Sequence, residues 1–282
     1  MINNETNENY PLLCDCVERL IRLKSEAGKE RTAANYRSTW NKLSVFLGRK
    51  AKLITITDFT TSMIQHYLLW LLQDEDSGNT SLTPGSQDFY LRNLKAMYNK
   101  VAKELRYIPI TGSPFAALHI KVPSTRKRAL PKEEIKRLAE LDLSETPHLA
   151  SALHLALFLF YARGMCFIDA FNMRQENIKD DYLYYKRSKT GASLQVKITP
   201  EMIKTIRMYK QKNSPWLFPF LHDKMQGVGE VAAQSALHRT NRYLKEIGEA
   251  QGYLHPLTTY VMRHSWASMM LEAGSEILTQ NV

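Results

Sequence analysis

Arg263 and His264 stand side by side in the stretch Leu257-Thr258-Thr259-Tyr260-Val261-Met262-Arg263-His264-Ser265-Trp266-Ala267. Val261, Met262, Trp266, Met269 and Met270 recur around them at helical spacing, which predicts a buried helix. A cation there needs a partner, because an unpaired buried charge is very costly. Two readings stand at this point. One is a structural ion pair. The other is an anion site, since guanidinium presents a rigid fork that fits phosphate oxygens. A second arginine closes an apolar run in Tyr161-Ala162-Arg163-Gly164-Met165, with Asp169 soon after. It is either part of a helix cap completed by Gly164 or a guanidinium held at a site mouth and oriented by Asp169. Lys189 falls in Ser188-Lys189-Thr190-Gly191, at the tip of an expected hairpin, where a lysine is most often there for solubility.

These groups need elements to hold them. His148 to Tyr161 is strongly apolar, with Leu149, Leu153, Leu155, Leu157, Phe158 and Leu159, and predicts a central core helix ending at Arg163. Tyr182 to Arg187 is aromatic and strand-like, and Leu194 to Ile198 alternates apolar and polar residues as a second strand. Helices are expected from Pro131, over about 200–212, and over about 232–249. The first hundred residues carry four amphipathic patterns, Leu13–Lys24, Tyr36–Leu43, Met63–Leu72 and Phe89–Val101. They describe a small helical domain. Pro109, Gly112, Pro114 and Pro123 then forbid a long helix. The division predicted is a helical domain over 1–106, a basic linker over 107–128 and a second domain over 129–282. The fold class predicted is mainly α with a small β-hairpin or three-stranded sheet.

The 282 residues carry 38 Lys and Arg against 28 Asp and Glu, a net charge of +10. Nucleic acid is the usual partner of such a surface, with an anionic membrane as the competitor. Arg31, Arg37 and Lys42 on the second helical pattern, and Arg92 and Lys95 on the fourth, face away from the apolar stripes. Each set is either a solvated face or a face laid on a DNA backbone. Arg126-Lys127-Arg128 could lie along a duplex or simply keep a linker soluble, and Arg239 and Arg242 sit on a later helix. No stretch is long and apolar enough to span a bilayer, and the polar start Met1-Ile2-Asn3-Asn4-Glu5 is no secretory signal. Cys14, Cys16 and Cys166 give neither a disulfide framework nor a metal pattern. The chain is expected in a reducing cytoplasm.

Several of these segments together resemble the tyrosine recombinases, or phage-type integrases, most closely those of Bacteroides mobile elements. The first catalytic box is similar to Phe160-Tyr161-Ala162-Arg163-Gly164-Met165-Cys166-Phe167-Ile168-Asp169. The lysine hairpin is similar to Arg187-Ser188-Lys189-Thr190-Gly191, and the second box to Leu257 through Ala267. The N-terminal helices are similar to the family's core-binding, SAM-like domain. The resemblance implies strand cleavage and rejoining through a 3′-phosphotyrosyl intermediate at a specific duplex site, with no metal or nucleotide cofactor. It implies Arg163 and Arg263 as transition-state stabilisers, Lys189 as general acid and Asp169 as a supporting carboxylate. It implies further protomers of the same or a full-length recombinase on DNA, and no membrane. Two departures accompany it. Tyr260 occupies the place where the family usually has a histidine. No tyrosine follows Tyr260, so the chain is expected to lack the third box and the nucleophile, as a fragment, a frameshifted product or a natural truncation. A non-catalytic protein that occupies recombination sites is the alternative reading.

Overall fold

Apolar stripes at helical spacing, interrupted by caps and turns, build the first of two units. The computed structural model describes residues 10–72, 82–110, 112–116, 118–123, 128–222 and 229–279. The chain divides into Met1–Thr125 and Arg126–Val282. In the first unit α1 (Leu13–Glu26), α2 (Glu30–Leu47), α3 (Thr61–Leu72) and α4 (Pro84–Glu104) carry the stripes. The Thr60 hydroxyl accepts the Met63 amide at 3.1 Å and opens α3. Thr83 accepts the Ser86 amide at 3.3 Å ahead of Pro84, a cap followed by the residue best suited to a first helical turn. Leu13, Val17, Tyr36, Leu43, Ile64, Tyr67, Leu94 and Met97 form the core. Phe115, inside the stretch read from sequence as linker, is buried in that same core with its ring 5.4 Å from Tyr98.

The second unit is arranged around α6 (Pro147–Tyr161). Leu155, Ala156 and Phe158 on it are fully buried, and burying each Leu or Phe side chain contributes about 1.5–3 kcal/mol. Around it lie α5 (Lys132–Ala139), α7 (Phe167–Phe171), α8 (Pro200–Tyr209), α9 (Glu230–Ala250) and α10 (Thr259–Thr279). One side of α6 packs with the sheet, Met202 of α8 and the start of α9. The other packs with Ile135 and Leu138 of α5, Leu244 and Ile247 of α9, and Val261 and Met262 of α10. An apolar residue on nearly every face of α6 is what a helix enclosed on all sides requires.

The sheet is antiparallel in the order β1 (Ile178–Lys179), β2 (Tyr182–Lys186), β3 (Ser193–Lys197). Leu183 pairs with Ile178 on one side and Val196 on the other. Leu183 and Val196 are buried while Tyr184 is exposed, the alternation a one-sided sheet demands. No helix of the described residues is long and apolar enough to cross a membrane.

Candidate active site

Where α6 ends, the chain must turn sharply. The amides of Gly164 and Met165 close back on the carbonyls of Phe160 and Leu159, at 3.3 and 3.0 Å. Arg163 and Gly164 are both left-handed there, with φ of 59° and 66°. The conformation is free for glycine but costs an arginine roughly 1–2 kcal/mol. Strain of this kind clusters where function demands a particular backbone. Arg163 is exposed, and among the described residues no ion pair or hydrogen bond holds its guanidinium.

Gly164 is needed for a second reason. A Cβ on it would lie 3.2 Å from Cγ and 3.3 Å from Cα of Arg263, and 3.3 Å from Trp266. The turn after α6 thus presses directly on the backbone of α10. Arg263 is half-buried. Its Nη1 donates to the Gly164 carbonyl at 2.8 Å and to Cys166 Sγ at 2.9 Å. The partner that burial required is therefore a carbonyl and a thiol, where one of the two sequence readings had an ion pair. With Nη1 committed to the protein, the donors on Nε and Nη2 are the ones left for an anion.

The start of α10 is fixed from two directions. Asn241 Oδ1 on α9 accepts the Thr259 amide at 3.0 Å and the Thr259 hydroxyl at 3.2 Å. Ser265, fully buried, donates to the Val261 carbonyl at 2.9 Å and accepts the Leu130 amide at 2.8 Å. Tyr260 lies on the first turn of α10, 64% exposed, with its ring edge-on to His264 at 4.3 Å.

Asp169, on α7, is buried at 4% exposure. Its Oδ1 accepts the amide of Ser188 at 2.8 Å, so it holds the lysine turn, where the sequence suggested an orienting partner for Arg163. The turn also carries its own bonds. The Arg187 carbonyl accepts the amides of Gly191 and Thr190, and the Arg187 amide reaches Ala192. Lys189 is exposed at its tip. The segment from Cys166 to Asp169 therefore grips Arg263 at one end and the Lys189 turn at the other, directly after Arg163. Tyr185 closes the group from β2. Burial, with smaller contributions from Asp169 and Cys166, pushes its phenol up to about 12 against the opposing pull of Arg187 and Arg263.

Sequence reasoning named Arg163, Lys189, Asp169, Tyr260 and Arg263. It missed Cys166, Asn241, Ser265 and Tyr185. Cys166 and Ser265 did lie within the segments that carried the resemblance, Cys166 between Arg163 and Asp169 and Ser265 two residues after Arg263. Among the described residues no three His, Cys, Asp or Glu side chains gather as metal ligands.

The other expected DNA contacts are scattered. Arg31 and Arg37 are exposed on α2. The Lys42 ammonium lies 4.9 Å over the Trp70 ring. Arg37, Asn41, Lys42 and Tyr90 line an open hollow of about 480 Å³ between α2 and α4. Arg92 is ion-paired with Asp88 at 2.8 Å, one helical turn away, while Lys95 is exposed. Arg239 Nη2 reaches the Phe220 carbonyl at 3.4 Å, and the Arg242 guanidinium lies 5.1 Å over Tyr243. Arg128 is exposed; Arg126 and Lys127 lie outside the described residues.

Comparison with known proteins gives this geometry a family. The chain is 26% identical over 162 residues to the tyrosine recombinase XerA of Pyrococcus furiosus, which is 56% of this chain and 52% of that protein. It is 24% identical over 194 residues to the XerA of Pyrococcus horikoshii, 67% of this chain and 63% of that one. The chain thus spans between half and two thirds of the length of these relatives. The fold is similar to that of a lambda integrase dimer bound to a COC′ core site, with a TM-score of 0.62 at 18% identity over 92% of this chain and 70% of that one. It is also similar to the Tn1549 transposon integrase in complex with a circular intermediate DNA, with a TM-score of 0.59 at 12% identity over 93% of this chain and 87% of that one. Residues 12–120 match the phage integrase SAM-like domain. Residues 128–279, more than half of the chain, match the phage integrase family, the tyrosine recombinases, and the chain belongs to it.

Proposed function

We propose that this chain binds duplex DNA at a specific recombination site and that its second unit activates one phosphodiester there for strand exchange. The observation that carries the reading is the linked path Arg163, Gly164, Arg263, Cys166, Asp169, Ser188, Lys189. It joins three cations from distant parts of the sequence through hydrogen bonds and adjacent residues. In this reading Arg163 and Arg263 donate to the non-bridging oxygens, whose negative charge grows at the pentavalent phosphorus. A tyrosine hydroxyl attacks phosphorus and gives its proton to water as the bond to the 5′-oxygen breaks. Lys189 gives its proton to that oxygen. In the reverse path Lys189 takes the proton from an incoming 5′-hydroxyl, which attacks phosphorus, and the expelled tyrosine oxygen regains a proton from water. In this reading Tyr260, exposed on the first turn of α10, offers a hydrogen bond to a phosphate oxygen, although a phenol is a poor base at neutral pH. Asp169 acts through the lysine turn.

A second reading is a protein that occupies recombination sites without cutting them. The favouring fact is that Tyr260 takes the place where the family usually has a histidine. One experiment separates the two. Bound duplexes are recovered from a randomised pool, and the recovered site is rebuilt with a nick beside the cleavage position. Incubation with this polypeptide and denaturing electrophoresis follow. The activating reading gives strand cleavage when a small nucleophile such as peroxide is added, and the site-occupying reading gives a retained duplex with neither cleavage nor a covalent band. A covalent band that vanishes in Tyr260→Phe would make Tyr260 the nucleophile and overturn the place given to it here.

A further inference from the structure

We infer that Cys166 is a positioning residue for Arg263, its sulfur fixing the rotation of the guanidinium so that Nε and Nη2 face the phosphate. The inference rests on the phosphate-activating role proposed for Arg263.

An arginine side chain on a helix has several open rotamers, and its guanidinium can present any of its edges. A single acceptor on Nη1 leaves the plane free to swing about that bond. Two acceptors on one nitrogen restrict both its position and the plane of the guanidinium. Here they are the Gly164 carbonyl at 2.8 Å and Cys166 Sγ at 2.9 Å. The carbonyl is delivered by the strained turn at Arg163 and Gly164. The sulfur is delivered by the residue just before α7, whose own carbonyl accepts the amides of Asp169 and Ala170 at 3.0 and 3.2 Å. Cys166 is therefore held by the same short helix that carries Asp169. Asp169 in turn fixes Ser188 beside Lys189. One rigid turn of helix sets the spacing between the arginine edge and the lysine turn.

A cysteine fits this position on chemical grounds. Its sulfur accepts a hydrogen bond without the negative charge of a carboxylate, so Arg263 keeps its full positive charge for the ligand. An aspartate or glutamate would hold the guanidinium more tightly and would also neutralise it. Cys166 has no disulfide partner.

The test uses the 282-residue chain with arginine labelled in ¹⁵N, inorganic phosphate as the probe, and the variants Arg263→Lys, Cys166→Ala and Cys166→Ser. Phosphate affinity and the guanidinium signals of Arg263 are read by NMR, with thermal unfolding as the control. The expected result is hindered rotation at Arg263 Nη1 in the unaltered chain. Cys166→Ala should lose that signature and weaken phosphate binding roughly three- to tenfold, the scale of one ordinary hydrogen bond. Cys166→Ser, which restores an acceptor, should bring both back, with the unaltered chain and both Cys166 variants still folded at the temperature of the measurement. If Arg263→Lys weakens phosphate binding but Cys166→Ala does not, the positioning role is wrong and the phosphate-binding role stands. If Arg263→Lys leaves phosphate affinity unchanged, the role proposed for Arg263 fails and takes this inference with it. Should Cys166→Ala fail to fold, the unaltered chain decides, since freely rotating Nη1 protons on Arg263 would overturn the inference without any variant.

Discussion

The two units carry positive charge in opposite ways. In the first, Arg31, Arg37 and Lys95 stand on the outer faces of helices whose inner faces make the core. Their places follow from amphipathicity alone, and one of their neighbours, Arg92, is already answered by Asp88. In the second, Arg263 is fixed by two acceptors nearly a hundred residues away in sequence, and Arg163 is held in a backbone conformation that arginine disfavours. Charge spread over a helix face acts through the summed field and is screened gradually as salt rises. Charge fixed by strain and hydrogen bonds acts at one point, and single changes destroy it.

The largest expected effect tests the frame on which the fixed charges depend. Phe158 is fully buried on α6, with its ring 4.8 Å from Phe218. Phe158→Ala should cost about 3–5 kcal/mol in urea unfolding. A loss under about 1 kcal/mol would mean that α6 is not the frame.

Next comes Gly164→Ala. The added methyl meets Arg263 at 3.2–3.3 Å in a backbone of φ 66°, so strain alone should cost about 1–3 kcal/mol. It should also abolish the Arg263 bond to the Gly164 carbonyl. Unchanged stability and an unchanged Arg263 NMR signal would show that the approach of α10 to this turn is looser than described.

A smaller effect separates acceptor from charge at Asp169. Asp169→Asn keeps an oxygen for the Ser188 amide, while Asp169→Ala removes it and should cost about 1–3 kcal/mol. Hydrogen exchange at Ser188 should quicken in the alanine variant and stay slow in the asparagine variant. Equal exchange in both would place the hold on the lysine turn elsewhere.

How far the sequence could be read follows the same division. The apolar run over 149–159 announced α6, and the aromatic run before Ser188-Lys189-Thr190-Gly191 with the alternation after it announced the hairpin. Each is a local pattern whose physical cause lies within a few residues. β1 has two residues and α7 five, too short for any period to show. The acceptors of Arg263 could not be read, because a backbone carbonyl has no side-chain signature and a lone cysteine has many uses. The left-handed turn at Arg163 was half legible: Gly164 suggested a cap, but nothing marked the arginine before it as strained. Phe115 shows the converse error, since prolines announced a linker while tertiary packing drew one aromatic of that stretch into the first unit.

The smallest effect belongs to the spread charges. Arg37→Gln with Lys42→Gln, on the hollow between α2 and α4, should weaken binding to all duplexes alike. The log–log salt slope should flatten by roughly one for each phosphate that these side chains no longer neutralise, with stability lowered by no more than about 1 kcal/mol through the lost contact of Lys42 with Trp70. A change in sequence preference without a change in slope would mean that this face reads bases.

The central claim is that Arg163 and Arg263 act together on one DNA phosphate. Ethylation interference on the selected duplex tests it most directly, with the unaltered chain and with Arg163→Ala, Arg263→Ala and the double variant. The account predicts a phosphate whose ethylation blocks the unaltered chain and ceases to matter in each of the three variants, while the protein still grips the rest of the backbone. The same interference pattern in all four proteins, or a different phosphate released in each single variant, would contradict it.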